Sequence, residues 1–198
     1  MAEKGRKVIV PPTVSICLPV RNAEPFLAER IASIREQTME DWEVEALDGF
    51  SDDGSWEKLQ DWAAREPRVR LDRREPEGIY PSINHCISNA KGAYVYIATA
   101  DDMMPPECLE KLSEALDEHP DCGLAHCPPK IIGDLGQDLG AWWSRGSVFA
   151  RSAPGLVGKY HMRRAPLDGL LHLDGDSVYV SLTQLLIRRS LFDSPAQR

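Results

Sequence analysis

The 198-residue sequence carries 31 acidic against 23 Lys and Arg side chains, a formal charge of −8, which argues against a general nucleic-acid-binding surface. A hydrophobic fraction of 42% suits one soluble globular domain with a sizeable single core. No apolar run approaches the ~18 residues of a membrane span, and the charged start followed by a short apolar run and Pro11-Pro12 disfavours a secretory signal. Five cysteines, an odd number without framework spacing, are expected as reduced thiols of a cytosolic protein. Within them, Cys122-Gly-Leu-Ala-His126-Cys127 lacks a second ligand pair and reads as a small apolar strand rather than a soft-metal site.

Residues 1–12 form an N-terminal extension. The run Val14-Ser-Ile-Cys-Leu-Pro-Val20 is a short apolar strand. From Phe26 to Gln37, Leu27, Ile31 and Ile34 fall on one helical face. Trp42 to Leu47 alternates as a strand and ends at Asp48. Ser55 to Glu66 places Trp56, Leu59, Trp62 and Ala63 on one stripe, with Pro67 as the stop. Val69-Arg-Leu71 is a weak strand. Ile79, Ile83 and Ile87 mark a third helix closed by Asn89 to Gly92. The continuous run Ala93 to Ala98 predicts a strand buried on both faces. A helix from Pro106 turns Leu109, Leu112 and Leu116 inward and stops at Pro120, and Cys122 to Cys127 gives the next strand. Alternation of this kind predicts an α/β fold with a mostly parallel central sheet flanked by helices.

After Pro128 the rhythm breaks. Residues 129–198 hold a long loop at about 139–167, then the apolar segment Val178 to Ile187. No acidic residue lies between Asp138 and Asp168, yet Arg145, Arg151, Lys159, Arg163 and Arg164 occur there with Tyr160 and His161. In an acidic chain this reversal is either a basic lid that closes over an anionic ligand or a solvated loop.

Polar groups stand at the ends of the expected strands: Pro19-Val20-Arg21-Asn22, then Asp48 to Ser55, then Thr99 to Asp102. In open α/β sheets the crevice beyond the carboxyl ends of the strands takes the ligand. Asp101 and Asp102 repel one another, and a hard divalent cation carrying phosphate oxygens offsets that repulsion. Their alternative is a cap for the helix at Pro106, which needs only one carboxylate. Asp48 can accept from a donor N–H or a sugar hydroxyl, or it can be the turn residue of an Asp-Gly dipeptide. Asp52-Asp53-Gly54-Ser55 reads as a turn and helix N-cap.

Taken together, Val14 to Glu24, Ser33-Ile34-Arg35-Glu36-Gln37-Thr38, Glu43 to Ser55, Gly78-Ile79-Tyr80 with Asn84, Ala90 to Tyr94 and Ala100-Asp101-Asp102 with Pro106 resemble a family 2 glycosyltransferase of the GT-A fold. Gly78-Ile79-Tyr80 with Asn84 is similar to a subgroup associated with bacterial cell-surface polysaccharides. The resemblance implies a nucleotide-sugar-binding α/β half over 13–128 and an incomplete acceptor-side region over 129–198. It implies that Pro19, Val20, Arg21 and Asn22 lie along base and ribose, and that Asp48 bonds the base, most often uracil. It makes Asp101 the metal ligand for Mg2+ or Mn2+, with Asp102 beside it. The reaction implied is inverting transfer from a nucleotide-diphosphate sugar, UDP first among them, to a saccharide or lipid-linked saccharide acceptor. Such a protein is cytoplasmic, with peripheral contact at the inner membrane face where the acceptor is lipid-linked.

Some positions depart from that pattern. Arg21 stands where the family usually has an aromatic residue, Thr99 replaces the first acidic or amide position of the metal motif, and Pro81 and His85-Cys86 interrupt the third-helix motif. His85 reads as a partly exposed helix residue rather than a catalytic one. Thr183 to Phe192 resembles the segment before the family's catalytic base, and the spacing of Asp168, Asp174 and Asp176 selects none of them. No base is assigned. A non-catalytic nucleotide-sugar-binding relative is the alternative. A sugar-phosphate nucleotidyltransferase is disfavoured, because Pro19 to Glu24 contains no glycine to build a phosphate loop.

Overall fold

Val14–Val20 (β1) is buried at every position, as its unbroken apolar run predicts for a central strand. The computed structural model describes residues 11–133, 137–141, 155, 159–160, 162–163 and 182–193. After β1 come α1 (Glu24–Arg35), β2 (Trp42–Asp48), α2 (Ser55–Arg65), β3 (Val69–Arg73), α3 (Ile79–Asn89), β4 (Tyr94–Ile97), α4 (Cys108–Glu118) and β5 (Leu124–His126). A separate ribbon pairs β6 (Lys130–Ile132) with β7 (Asp138–Ala141), and β8 (Leu185–Arg188) follows later.

The main sheet has six strands in the order β3-β2-β1-β4-β8-β5. β1 runs parallel to β2 and β4, and β2 parallel to β3. The chain returns through β8, which lies antiparallel between β4 and β5. The local pattern places the first strands correctly, but this insertion depends on a segment some way along the chain and has no local signature.

Residues alternate between two apolar layers. Ile16, Leu18, Val44, Tyr96 and Leu186 pack with Leu27, Ile34, Leu59 and Leu109 of α1, α2 and α4. Cys17, Leu47, Val95 and Ile97 pack with Ile83 and Cys86 of α3. All five cysteines are free thiols. Among the described residues no helix is long and apolar enough to cross a membrane.

One turn shows how tightly the sheet fixes its loops. Lys91 N donates to Glu43 Oε1 at 2.8 Å, and Gly92 N to Ser15 Oγ at 2.8 Å. A Cβ on Gly92 would stand 2.6 Å from Ser15 N and 2.8 Å from Val14 C. Those atoms are backbone of a buried central strand and cannot yield. Gly92→Ala is therefore expected to destabilise the fold by about 1–3 kcal/mol, an overpacking cost read from urea unfolding midpoints.

Candidate functional site

The carboxyl ends of β3, β2, β1 and β4 lie side by side at one edge of the sheet. This brings the Arg21-Asn22, Asp48 and Thr99–Asp102 segments to a common crevice. Arg21 and Asn22 are exposed there, whereas Pro19 and Val20, the last two residues of β1, are buried.

The Asp48 carboxylate is fully buried. It faces Arg73, the last residue of β3, with Arg73 Nε 2.9 Å from Asp48 Oδ2. It also accepts from Ser51 N at 3.1 Å, so it closes the turn that follows it. The Arg73 guanidinium donates to Ser51 O at 3.0 Å and lies over the rings of Phe50 and Trp56, at 4.7 and 4.6 Å from their centroids. Asp48 is thus both a turn anchor and half of a buried ion pair whose cation, with 30% of its side chain exposed, reaches the surface. Arg73 is absent from the sequence-derived site. Extending the weak strand Val69-Arg-Leu71 by two residues would have placed it opposite Asp48.

Two non-glycine residues at this edge have left-handed backbones, Asn22 (φ 49°) and Phe50 (φ 54°). Asparagine tolerates that conformation, and Asn22 Oδ1 accepts from Asp52 N at 3.1 Å. For a bulky residue the conformation costs on the order of 1–3 kcal/mol. The exposed contact of Phe50 with Arg73 returns only about 0.5–1 kcal/mol.

Asp53 organises the helix starts. Its Oδ1 accepts from Ser55 N at 3.0 Å and its Oδ2 from Glu24 N at 2.9 Å, so one carboxylate satisfies donors at the beginnings of α1 and α2.

The Asp101-Asp102 segment is carried by α1. Arg30, 1% exposed, donates to Asp102 O at 3.1 Å. Burial lowers the pKa of that guanidinium, against the favourable influence of the Tyr96 and Asp102 groups beside it. Gln37 Nε2 donates to Pro105 O at 2.8 Å, and Gln37 Oε1 accepts from Leu109 N at 3.0 Å. The Asp102 carboxylate accepts from Thr99 Oγ1 at 2.8 Å and Thr183 Oγ1 at 2.9 Å, both on Oδ2. Tyr96 Oη in turn donates to Thr183 O. Asp101 is exposed and makes no hydrogen bond or ion pair among the described residues.

A cation shared with a diphosphate needs only one or two protein carboxylates, the remaining positions going to phosphate oxygens and water. Both oxygens of Asp101 and Oδ1 of Asp102 fit that requirement. Among the described residues no group of three or more His, Cys, Asp or Glu side chains is arranged to hold a metal by itself.

His85 lies away from the Asp pair, on α3, with Asp72 Oδ2 2.8 Å from its Nε2 and Arg74 2.7 Å from its Nδ1. In the basic segment, Arg163 stands 2.8 Å from His126 Nε2 and the Tyr160 ring stacks on His119 at 6.0 Å. Arg145, Arg151, His161, Arg164, Asp168, Asp174 and Asp176 lie outside the described residues.

The Bacillus subtilis (strain 168) protein EpsE, named as a glycosyltransferase, is 34% identical over 110 residues, covering 54% of this chain and 40% of EpsE. Staphylococcus aureus TarS 1-349 superposes with a TM-score of 0.66 at 20% identity, over 91% of this chain and 48% of that one. The mannosyltransferase PcManGT from Pyrobaculum calidifontis, in complex with GDP-Man and Mn2+, superposes with a TM-score of 0.52 at 26% identity, over 60% and 36% of the two chains. The chain therefore spans less than half the length of each of these proteins. The fold is that of GT-A enzymes such as TarS. The family model for glycosyl transferase family 2 matches residues 15–193, and the chain belongs to that family.

Proposed function

We propose that the chain is the donor-binding part of a metal-dependent inverting glycosyltransferase. It would move a sugar from a nucleotide-diphosphate donor, UDP-linked in the first instance, to the hydroxyl of a saccharide or lipid-linked saccharide. The observation that carries this reading is the adjacency of parallel strand ends bearing Asp48–Arg73 on one side and Asp101-Asp102 on the other. Base and ribose would lie along Pro19, Val20, Arg21, Asn22 and Asp48, and the diphosphate would approach Asp101. Residues 13–128 would form the donor half and 129–198 the acceptor side, with β8 returning to the donor half's sheet. The motif Gly78-Ile79-Tyr80 with Asn84 supports a role in cell-surface polysaccharide synthesis, at the cytoplasmic face where the acceptor is lipid-linked.

In the transfer, the acceptor oxygen forms a bond to the anomeric carbon as the bond to the diphosphate oxygen breaks. The acceptor proton passes to a carboxylate base and the nucleoside diphosphate leaves with the electron pair. Bound Mg2+ or Mn2+ supplies Lewis-acid stabilisation of the charge that develops on the leaving group. Asp101 would hold that cation through its open oxygens. Asp102, fixed by Thr99, Thr183 and Arg30, would keep the segment in place.

Calorimetric titration of UDP and GDP, each with and without Mn2+, tests the reading, together with an assay for donor hydrolysis. Metal-dependent binding with turnover is expected. Binding without turnover would favour a non-catalytic nucleotide-sugar-binding relative, and no binding of either nucleotide would reject both.

A further inference from the structure

We propose that Phe50 is the stacking surface for the donor's nucleobase, an assignment that rests on the reading of this crevice as a nucleotide site. Asn22 and Phe50 occupy equivalent places, each two residues beyond the paired strand ends Val20 and Asp48. The left-handed backbone of Asn22 is explained by its residue type and by its bond to Asp52 N. At Phe50 the residue type offers no such relief: the turn is held through its neighbour Ser51, whose N donates to Asp48 Oδ2 at 3.1 Å and whose Oγ accepts from Asn22 N at 3.0 Å. Its side chain is not held by burial, since 47% of the residue is exposed. Its ring contact with Arg73 returns less than the backbone conformation costs. A bulky, half-exposed ring held by its turn in a strained conformation at the edge of a binding crevice is a reason to look for a ligand.

The surroundings suit a base. Arg73 is fixed by Asp48, Ser51 O and Trp56, so the ring of Phe50 is backed by a guanidinium that cannot swing away. Before Phe50, Gly49 offers no side chain, and the stem of Arg21 lies along it: a Cβ on Gly49 would stand 3.5 Å from Arg21 Cβ. The open part of the Phe50 ring is therefore flanked by polar groups and a bare stretch of backbone. Every base has a π-face, so such a platform gives affinity for a nucleoside without choosing between bases.

The test compares Mn2+-UDP and Mn2+-GDP with Mn2+-pyrophosphate, which lacks a base, by calorimetry on the unaltered chain, Phe50→Gly, Phe50→Asn and Phe50→Trp. Gly and Asn both accept φ 54°, so both variants are expected to fold, with melting temperatures equal to or above that of the unaltered protein. Their nucleotide affinity is expected to fall about tenfold or more, with pyrophosphate affinity unchanged. Phe50→Trp should keep nucleotide affinity. Unchanged nucleotide affinity in Phe50→Gly and Phe50→Asn overturns the assignment, as does an equal loss for pyrophosphate. If the unaltered chain binds neither nucleotide, the nucleotide reading itself fails. If it binds one that Phe50→Gly binds equally well, only the role of Phe50 is lost.

Discussion

Replacing Asp101 by Asn is expected to lower kcat/KM for sugar transfer by about 10²–10³-fold while leaving the melting temperature within experimental error. The rate loss is the size seen when one preorganised electrostatic group is removed from a developing negative charge. The unchanged stability follows from exposure: Asp101 makes no hydrogen bond or ion pair among the described residues, and surface substitutions of that kind stay within about 0.5 kcal/mol. Asp102→Asn should behave differently. Its amide oxygen can still accept from Thr99 and Thr183, whose hydroxyls now meet Asp102 Oδ2 at 2.8 and 2.9 Å. We expect a smaller rate loss, about tenfold, because the segment stays anchored while part of its charge is gone. Assays over a Mn2+ titration separate the two, since weakened metal binding raises the metal concentration needed for half-maximal rate. An Asp101→Asn protein with unaltered metal dependence would remove Asp101 from the metal site.

How much of this arrangement could be read from the sequence depended on whether its cause is local. β1 and β4 are apolar on both faces, and that pattern alone locates them in the middle of the sheet. Their positions then bring Asn22 and Asp101 to the same edge. β3 is an edge strand with alternating burial over Val-Arg-Leu-Asp-Arg, so its signal fades before Arg73 and the partner of Asp48 is lost with it. Arg30 belongs to the buried stripe of α1, one turn from Leu27 and from Ile34, yet a charged residue is read as solvent-facing unless its partner is known. That partner, the Asp102 carbonyl, is 72 residues away. Thr183 is tied to Asp102 across 81 residues, for the same reason beyond any periodicity. Phe50 was not singled out beside the Asp48-Gly49 dipeptide, because its positive φ and its place over Arg73 are facts of the fold.

Away from the crevice, Arg70→Met is expected to cost about 3 kcal/mol of folding stability at pH 7. Glu43 and Glu45 alternate on the α3 side of β2, with only 6 and 7% of their side chains exposed, and Arg70 of β3 bonds both. Removing the cation leaves two buried carboxylates uncompensated, a change usually costing roughly 3–5 kcal/mol. The low end applies because 42% of the Arg70 side chain is exposed and solvent screens the pair. The pH dependence gives the stricter test. Burial would raise the pKa of Glu43, but hydrogen bonds from Ser15, Arg70 and Lys91 N together outweigh it and hold the carboxyl below its ordinary value. At Glu45 burial prevails and the pKa lies above the ordinary value despite Arg70. A lowered carboxyl contributes stability that is present above its unfolded pKa and lost as the pH falls through the folded value. A raised one contributes fully below its unfolded pKa and loses stability as the pH rises through the folded value. In the unaltered protein the two groups therefore oppose each other. Without Arg70 both carboxyls move upward: Glu45 acts more strongly with the second sign, and Glu43, still bonded by Ser15 and Lys91 N, loses part of its contribution of the first sign. The deficit of Arg70→Met should then be largest at neutral pH and shrink as the pH falls towards the ordinary glutamate value of 4.5. Urea unfolding at pH 7 and pH 5 measures it, and adding Glu45→Gln to Arg70→Met should recover part of the loss at pH 7. A deficit that is the same at both pH values would mean that Arg70 acts through packing of its stem, not through its charge.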